Sequence, residues 1–378
     1  MTLALYAPFK PLDHPDPSGD RTIGRELAAA LGDQGWSVVV PSRFRSRWFS
    51  KRPALWLAAL TERRRALEEA SRARVSLWLT YHTYYKSPDV IGPYVARELG
   101  IPYAVFQGIY STRPKRSLKT RLGYECNRRA LLAARLVFSN RRQDLVNLRR
   151  LLPDERLSYV VPGIDPNLFT FDGQARRALR HAWGVTDEPV VVTAAMFRAD
   201  VKTESLVFLL DRLGELARDG VRFFLVLAGD GETRPRLAGL AQALLPGRHL
   251  FLGRVPREDL GAVFGAGDVF AFPGIRESLG MVYLEAQAAG LPVVALADGG
   301  VPEVVRHGVT GILTPPGNAA AYRKALAWML ADKARRRAMG EAAEAYVRAH
   351  HDRAQTYRPV AEALKRLSRE RTAGRGSG

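Results

Sequence analysis

The chain has 378 residues, 47% hydrophobic and 25% charged, an ordinary balance for a globular protein and a length at which two domains are expected. Its single cysteine, Cys126, excludes an internal disulfide and suits a reducing cytosol, and no stretch approaches the roughly 18 uninterrupted apolar residues of a membrane span. The formal net charge is +19, and residues 1–160 hold 28 Lys and Arg against 14 Asp and Glu, so most of the excess lies early in the chain.

The first residues, MTLALYAPFKPLDHPDP, read as a β-strand: they lack the basic start and small-residue cleavage site of a signal peptide. Strands are expected at residues 3–7, 37–40, 75–81, 102–107, 136–139 and 159–161, alternating with helices at 21–33, 53–73, 88–99, 117–133 and 141–151. After the segment 162–166 a second series begins, with strands near 190–195, 223–228, 249–252, 269–272, 292–296 and 311–313. Its helices are expected near 203–218, 233–244, 257–265, 279–290, 302–306 and 318–331. Two last helices, 333–349 and 354–370, precede RTAGRGSG, which reads as a frayed tail. Such alternation implies two parallel sheets covered by helices. No internal repeat is present.

Neither series carries a G-x-G-x-x-G fingerprint after its first strand. The first loop reads Pro17-Ser18-Gly19-Asp20 instead. Gly19 could bring backbone N–H groups to a ligand, or Ser18 or Asp20 could simply cap the next helix. Two basic segments stand out: RFRSRWFSKR at 43–52 follows the second strand, and RPKRSLKTR at 113–121 follows the fourth. Cations interleaved with aromatics at strand ends suit an anionic lipid surface, the alternative being solvated charge. Zinc-finger spacing, an RNP-like aromatic strand and a basic heptad run are all missing, which argues against a nucleic-acid partner.

The most informative stretch is 268–316, DVFAFPGIRESLGMVYLEAQAAGLPVVALADGGVPEVVRHGVTGILTPP. Two strand–loop–helix units there aim helix N-termini at one rim, where oriented N–H groups favour an anion. Glu277 and Glu285, eight residues apart, would stand about 12 Å apart along a helix, the length of a nucleotide sugar. Glu277 could then accept from sugar hydroxyls and Glu285 from ribose hydroxyls, with the N–H groups of Ser278, Leu279 and Gly280 facing the phosphates. The plain alternative is a dipole-neutralising acid and an ordinary surface glutamate.

The segment resembles the donor-binding signature of the retaining family-4 glycosyltransferases of GT-B fold: Glu-x7-Glu, here Glu277 to Glu285, then Gly299-Gly300-Val301-Pro302-Glu303. Upstream, VPGID at 161–165 ending at Phe169, AAMFR at 194–198 with Lys202, LAGDGE at 227–232 and FLGRV at 251–255 match further landmarks of that family in order. The resemblance covers about residues 160–316, and the N-terminal half is looser.

The resemblance implies a GT-B fold: two Rossmann-like parallel-sheet lobes, 1–162 on the acceptor side and 163–350 on the donor side, facing across a cleft, with residues 351–378 forming a helix that crosses back to the first lobe. It implies transfer of a hexosyl group from a nucleotide-diphosphate sugar with retention, on an acceptor such as a lipid-linked glycan or lipopolysaccharide. Arg198 and Lys202 would hold the diphosphate in place of a metal ion, so that no cofactor is needed; Glu277 would orient the sugar, and Gly229 and Val255 would line the donor. On the acceptor side Gly19, His82 and Gln107 are the candidates, Gln107 standing where the family often has a histidine and His82 being the nearest substitute. The enzyme would work in the cytoplasm, peripheral to an anionic membrane. A nucleotide-sugar epimerase of the same fold, or a scaffold that binds polyanions without catalysis, are the alternatives.

Overall fold

The computed structural model describes residues 1–15 and 19–375. The chain divides into two compact units, Met1–Gly163 with Arg353–Gly378, and Ile164–Asp352.

The first unit runs β1 (Thr2–Tyr6), α1 (Gly19–Asp33), β2 (Ser37–Val39), α2 (Ala54–Arg72), β3 (Leu77–Thr83), α3 (Gly92–Glu98), β4 (Tyr103–Gly108), α4 (Leu118–Ala133), β5 (Leu136–Ser139), α5 (Arg142–Leu148) and β6 (Leu157–Tyr159). Its six strands form one parallel sheet in the order β2-β1-β3-β4-β5-β6. Every residue of β3 and β4 is buried, as expected of central parallel strands covered on both faces. The chain leaves β1 in one direction, to β2, and returns on its other side as β3. The C-terminal ends of β1 and β3 are therefore the switch point of this sheet, the place where open α/β sheets take ligands.

The second unit contains α6 (Gly173–Ala182), β7 (Val190–Ala194), α7 (Val201–Arg218), β8 (Phe224–Ala228), α8 (Arg234–Leu244), β9 (His249–Gly253), α9 (Arg257–Ala266), β10 (Val269–Ala271), α10 (Met281–Ala288), β11 (Val293–Leu296), β12 (Gly311–Thr314), α11 (Ala319–Ala331) and α12 (Lys333–His350). Its parallel sheet has the doubly wound order β12-β11-β10-β7-β8-β9, with the switch point between β7 and β10. The chain then adds α13 (Arg353–Thr356) and α14 (Arg358–Arg375) to the first unit. There Lys365 Nζ donates to the Gln34 carbonyl at 2.6 Å, and Arg353 pairs with Glu26 at 3.0 Å.

Four expectations need correction. The helix expected at 302–306 is a single 3-10 turn, Val301–Glu303, because Arg306 N–H turns to the Thr310 hydroxyl at 3.0 Å. The helix expected at 354–370 is broken at Tyr357: Pro359 at the start of α14 has no N–H to continue the earlier turn. The supposed tail is helical to Arg375, and residues 376–378 lie outside the described residues, as do Pro17 and Ser18 of the first loop. Finally α6 was not expected: Ala175, Ala178, Leu179 and Ala182 recur at helical spacing, but the stripe is short and weakly hydrophobic and the helix buries none of its residues. It is fixed by its cap, Asp172, which accepts from Gln174 and Ala175, and by Arg176 and Arg180, which grip Asp268 at 2.7 and 2.9 Å.

Candidate donor site at the switch point of the second sheet

After β7 the chain passes Phe197, fully buried, and reaches exposed Arg198. Asp200 then caps α7, its carboxylate accepting from Lys202 N–H at 2.8 Å. The loop is fixed from below by the turn after β8: Phe197 N–H donates to the Asp230 carbonyl, and Thr233 N–H to the Phe197 carbonyl. Gly229 makes this approach possible. A Cβ there would stand 1.9 Å from the Ala195 carbonyl oxygen, and its φ of +143° is open to glycine. Gly229 thus has a packing reason to be glycine.

After β10 the segment 273–280 forms a fixed loop. Ile275 N–H donates to Ser205 Oγ at 3.0 Å, and Arg276 N–H to Asp298 Oδ2 at 2.8 Å. Arg276 is a non-glycine residue at φ +51°, and its guanidinium reaches Glu204 at 2.6 Å. Gly299 and Gly300 form the floor. Cβ atoms on them would lie 2.0 Å from the carbonyl oxygens of Glu277 and Ser278, and Gly300 N–H donates to the Glu277 carbonyl at 2.9 Å. The paired glycines are therefore required by the close passage of the Glu277 loop.

Glu277 precedes α10 rather than lying on it, which overturns the picture of two acids along one helix. Gly280, at φ +75°, stands just before the helix and breaks the continuity. The Glu277 carboxylate instead forms an ion pair with Lys202, whose ammonium also lies over the Phe272 ring at 5.2 Å. Ser278 N–H turns back to Glu277 Oε1 at 3.1 Å. The N–H groups of Leu279 and Gly280, just before α10, have no acceptor among the described residues. Glu285 points elsewhere: nearly buried, it accepts from Arg257 Nε at 3.0 Å, on the first turn of α9 and two residues beyond Val255. Arg198 keeps its guanidinium exposed, with Met196 Sδ at 3.2 Å.

Lys202, Arg198, Glu277, Ser278, Leu279 and Gly280 thus gather at the carboxyl ends of β7 and β10, while Gly229, Val255 and Glu285 follow β8, β9 and the body of α10. Arg257, Arg276 and Asp298 were missed in the sequence. Only Asp298 carried a signal, as the acid directly before the two glycines. Among the described residues no three His, Cys, Asp or Glu side chains converge to hold a metal ion, and no helix is long and apolar enough to cross a membrane.

In the first unit Gly19 is the first residue of α1. His82 and Gln107 stand one residue before the ends of neighbouring strands, buried and both at positive φ, +56° and +63°. The basic segment 43–52 is engaged with aromatics: Arg47 lies over Phe9 at 5.7 Å, and Lys51 and Lys86 lie over Trp48 at 4.4 and 5.1 Å.

Residues 176–346 match the family model for glycosyl transferases group 1. The GDP-mannose-dependent alpha-(1-6)-phosphatidylinositol monomannoside mannosyltransferase of Mycolicibacterium smegmatis is 36% identical over 198 residues, 50% of this chain and 51% of that protein. The D-inositol 3-phosphate glycosyltransferase of Xylanimonas cellulosilytica is 36% identical over 222 residues, 56% of this chain and 52% of that protein. The chain thus spans about half the length of these relatives. Among solved structures, sucrose-phosphate synthase from Thermosynechococcus elongatus superposes with a TM-score of 0.73 at 21% identity, covering 99% of both chains. Anabaena HepE in complex with UDP-glucose superposes with a TM-score of 0.71 at 21% identity, covering 97% of this chain and 99% of that one. These likenesses establish the GT-B α/β fold.

Proposed function

We propose that this chain is a retaining glycosyltransferase that moves a hexosyl group from a nucleotide-diphosphate sugar to an acceptor at an anionic lipid surface, such as a lipid-linked glycan or lipopolysaccharide, in the cytoplasm and without a metal ion. The observation that carries the reading is the meeting of Lys202 and Glu277 at the switch point of the second sheet, beside exposed Arg198 and the open N–H groups of Leu279 and Gly280. Breaking a sugar–phosphate bond builds charge on the departing diphosphate. A fixed ammonium, a guanidinium and two unpartnered N–H groups stabilise that charge more in the transition state than before it. Glu277 then takes hydrogen bonds from the donor sugar, and Glu285, beside the Val255 segment, takes the ribose hydroxyls.

The ion pair alone would also suit a surface that binds polyanions without turnover, and an epimerase would share the phosphate site. The match of residues 176–346 to group 1 glycosyl transferases favours transfer over both. The test is calorimetric titration with GDP-mannose and with UDP-glucose, the donors named for a relative and a structural neighbour, each repeated with a chelator. Chelator-insensitive binding of one of them supports the reading, and no binding of either overturns it.

A further inference from the structure

The loop after β10 holds three residues in the left-handed backbone region, and one of them is not glycine. Gly274 and Gly280 stand at φ +69° and +75°, and Arg276 between them at φ +51°. Glycine takes this conformation without strain, whereas a residue with a Cβ does not. The turn at Arg276 is held from two sides. Its N–H donates to Asp298 Oδ2 at 2.8 Å, after β11, and its guanidinium to Glu204 Oε2 at 2.6 Å, on the first turn of α7. Stability does not explain an arginine here. The two side chains of the ion pair are 65% and 53% exposed, and a pair so open to water does little more than offset the strain.

Its place in the loop gives a better reason. Three successive residues are fastened to the start of α7: Ile275 N–H to Ser205 Oγ at 3.0 Å, Arg276 to Glu204, and Glu277 to Lys202. Ser205 is itself anchored, donating to the Val201 carbonyl at 2.8 Å. Adjacent residues end in opposite environments, since the Arg276 side chain stands in solvent and that of Glu277 is 11% exposed. The left-handed turn makes this divergence possible: it leads the guanidinium outward and the carboxylate inward to the ammonium. The backbone is fixed on both sides of the carboxylate, at the Arg276 N–H and at the Glu277 carbonyl, which accepts from Gly300 N–H at 2.9 Å.

We infer that Arg276 is the positioning residue of Glu277: held by Glu204 and Asp298 in the left-handed turn, it aims the Glu277 carboxylate at the hydroxyls of the donor sugar. This rests on the glycosyltransferase reading, and the experiment separates the two. Glu277 is assigned to the sugar, and Lys202 and Arg198 to the diphosphate, so the contact should govern what the sugar adds to binding. Wild type, Arg276→Gly, Arg276→Lys, Glu204→Gln and the double variant of Arg276→Gly with Glu204→Gln are titrated calorimetrically with UDP-glucose and GDP-mannose. The same proteins are titrated with UDP and GDP, and no acceptor is needed. Arg276→Gly and Glu204→Gln should each lose about tenfold in affinity for the nucleotide sugar that wild type binds, the scale of one hydrogen bond to a charged group, and keep affinity for the bare nucleotide within about twofold. The double variant should lose no more than either single one, as two halves of one contact do. Arg276→Lys, which keeps the charge, should lose less than Arg276→Gly. Raising salt should bring wild type toward Glu204→Gln, because so exposed a pair is screened. Arg276→Gly binding the nucleotide sugar as tightly as wild type would overturn the inference alone. So would a loss shared equally by sugar and bare nucleotide, which would make Arg276 a support of the loop only, and so would a wild type that gains nothing from the sugar. Failure of wild type to bind any of these ligands would remove the donor reading and the inference with it.

Discussion

Lys202 and Glu277, 75 residues apart in sequence, are joined in an ion pair where β7 and β10 end side by side. The pair is largely enclosed, with side-chain exposures of 25% and 11%, so each partner neutralises the other where an isolated charge would be costly. In the proposed function, a diphosphate arriving at Lys202 would compete with Glu277 for the ammonium, and sugar hydroxyls would compensate the carboxylate it releases. Glu277→Gln keeps the shape and removes the charge. Turnover should fall by about a hundredfold or more with the fold intact by circular dichroism, since the group acts at the developing charge. Turnover within about threefold of wild type would remove Glu277 from the site.

The glycine floor predicts a different signature. Gly299→Ala places a Cβ 2.0 Å from the Glu277 carbonyl oxygen at a φ of +56°. Overpacking and backbone strain together should cost about 2–3 kcal/mol in denaturant unfolding. Donor affinity should fall as well, because the displaced element is the Glu277 loop. Gly290→Ala, at φ +80° with nothing within 4 Å, is the control: strain without a clash, and donor binding retained.

Asp268 gives a pH dependence with a definite sign. Burial alone would raise its pKa, but the Arg176 charge, the Val190 N–H and the Arg180 charge outweigh burial and hold it below the usual carboxylate range. A folded pKa below the unfolded one contributes stability above the unfolded value, and that stability is lost as pH falls through the folded one. Asp268→Asn, which leaves Arg176 and Arg180 without their carboxylate, should cost about 3 kcal/mol at neutral pH. The gap between wild type and variant in urea unfolding should close as pH falls below the carboxylate range. A gap that stays constant with pH would show that packing, not charge, holds α6 to this sheet.

The strand–helix alternation of the second sheet was legible because most of its strands are short apolar runs closed by Gly or Pro and followed by a helical pattern, as in the stretch from Val293 to the glycines at 299 and 300, whereas the strand order depends on tertiary packing. Arg198, Lys202 and Glu277 were singled out by the family resemblance and their place after strands, and the meeting of Lys202 with Glu277 follows from β7 and β10 being neighbours. The position of Glu277 was misjudged: SLGMVYLEA has helical composition throughout, and only the positive φ of Gly280 keeps residues 277–279 out of the helix. Helix α6 escaped because its apolar stripe, Ala175, Ala178, Leu179 and Ala182, is short and mostly alanine, while its contacts to the sheet are guanidinium-to-carbonyl and guanidinium-to-carboxylate. The approach of Asp20 Oδ1 to 2.8 Å from His82 Nδ1 is tertiary, made by α1 lying beside β3, and nothing local to either residue announces it.

The basic first unit predicts lipid binding through a surface the charge pattern alone did not define. Residues Phe49–Lys51 form a 3-10 turn packed on α4, and the Phe49 carbonyl accepts from the Trp56 indole at 3.0 Å, tying α2 to the same turn. On these two helices Leu118, Leu57 and Leu60 are exposed by 88%, 72% and 55%, with Trp56 and Leu122 beside them. Lys51, Arg52, Lys115, Lys119 and Arg121 share those segments. Apolar side chains entering a bilayer gain free energy at any salt concentration, whereas each cation contributes about 1 kcal/mol that salt screens. Sedimentation with phosphatidylglycerol vesicles should therefore separate the two contributions. Leu57→Glu with Leu118→Glu should abolish binding at low and high salt alike. Neutralising Arg45, Arg47 and Lys115 should weaken binding at low salt and change little at high salt. Vesicle binding that survives both sets would mean that another surface meets the lipid and that these helices and the basic segments are solvated.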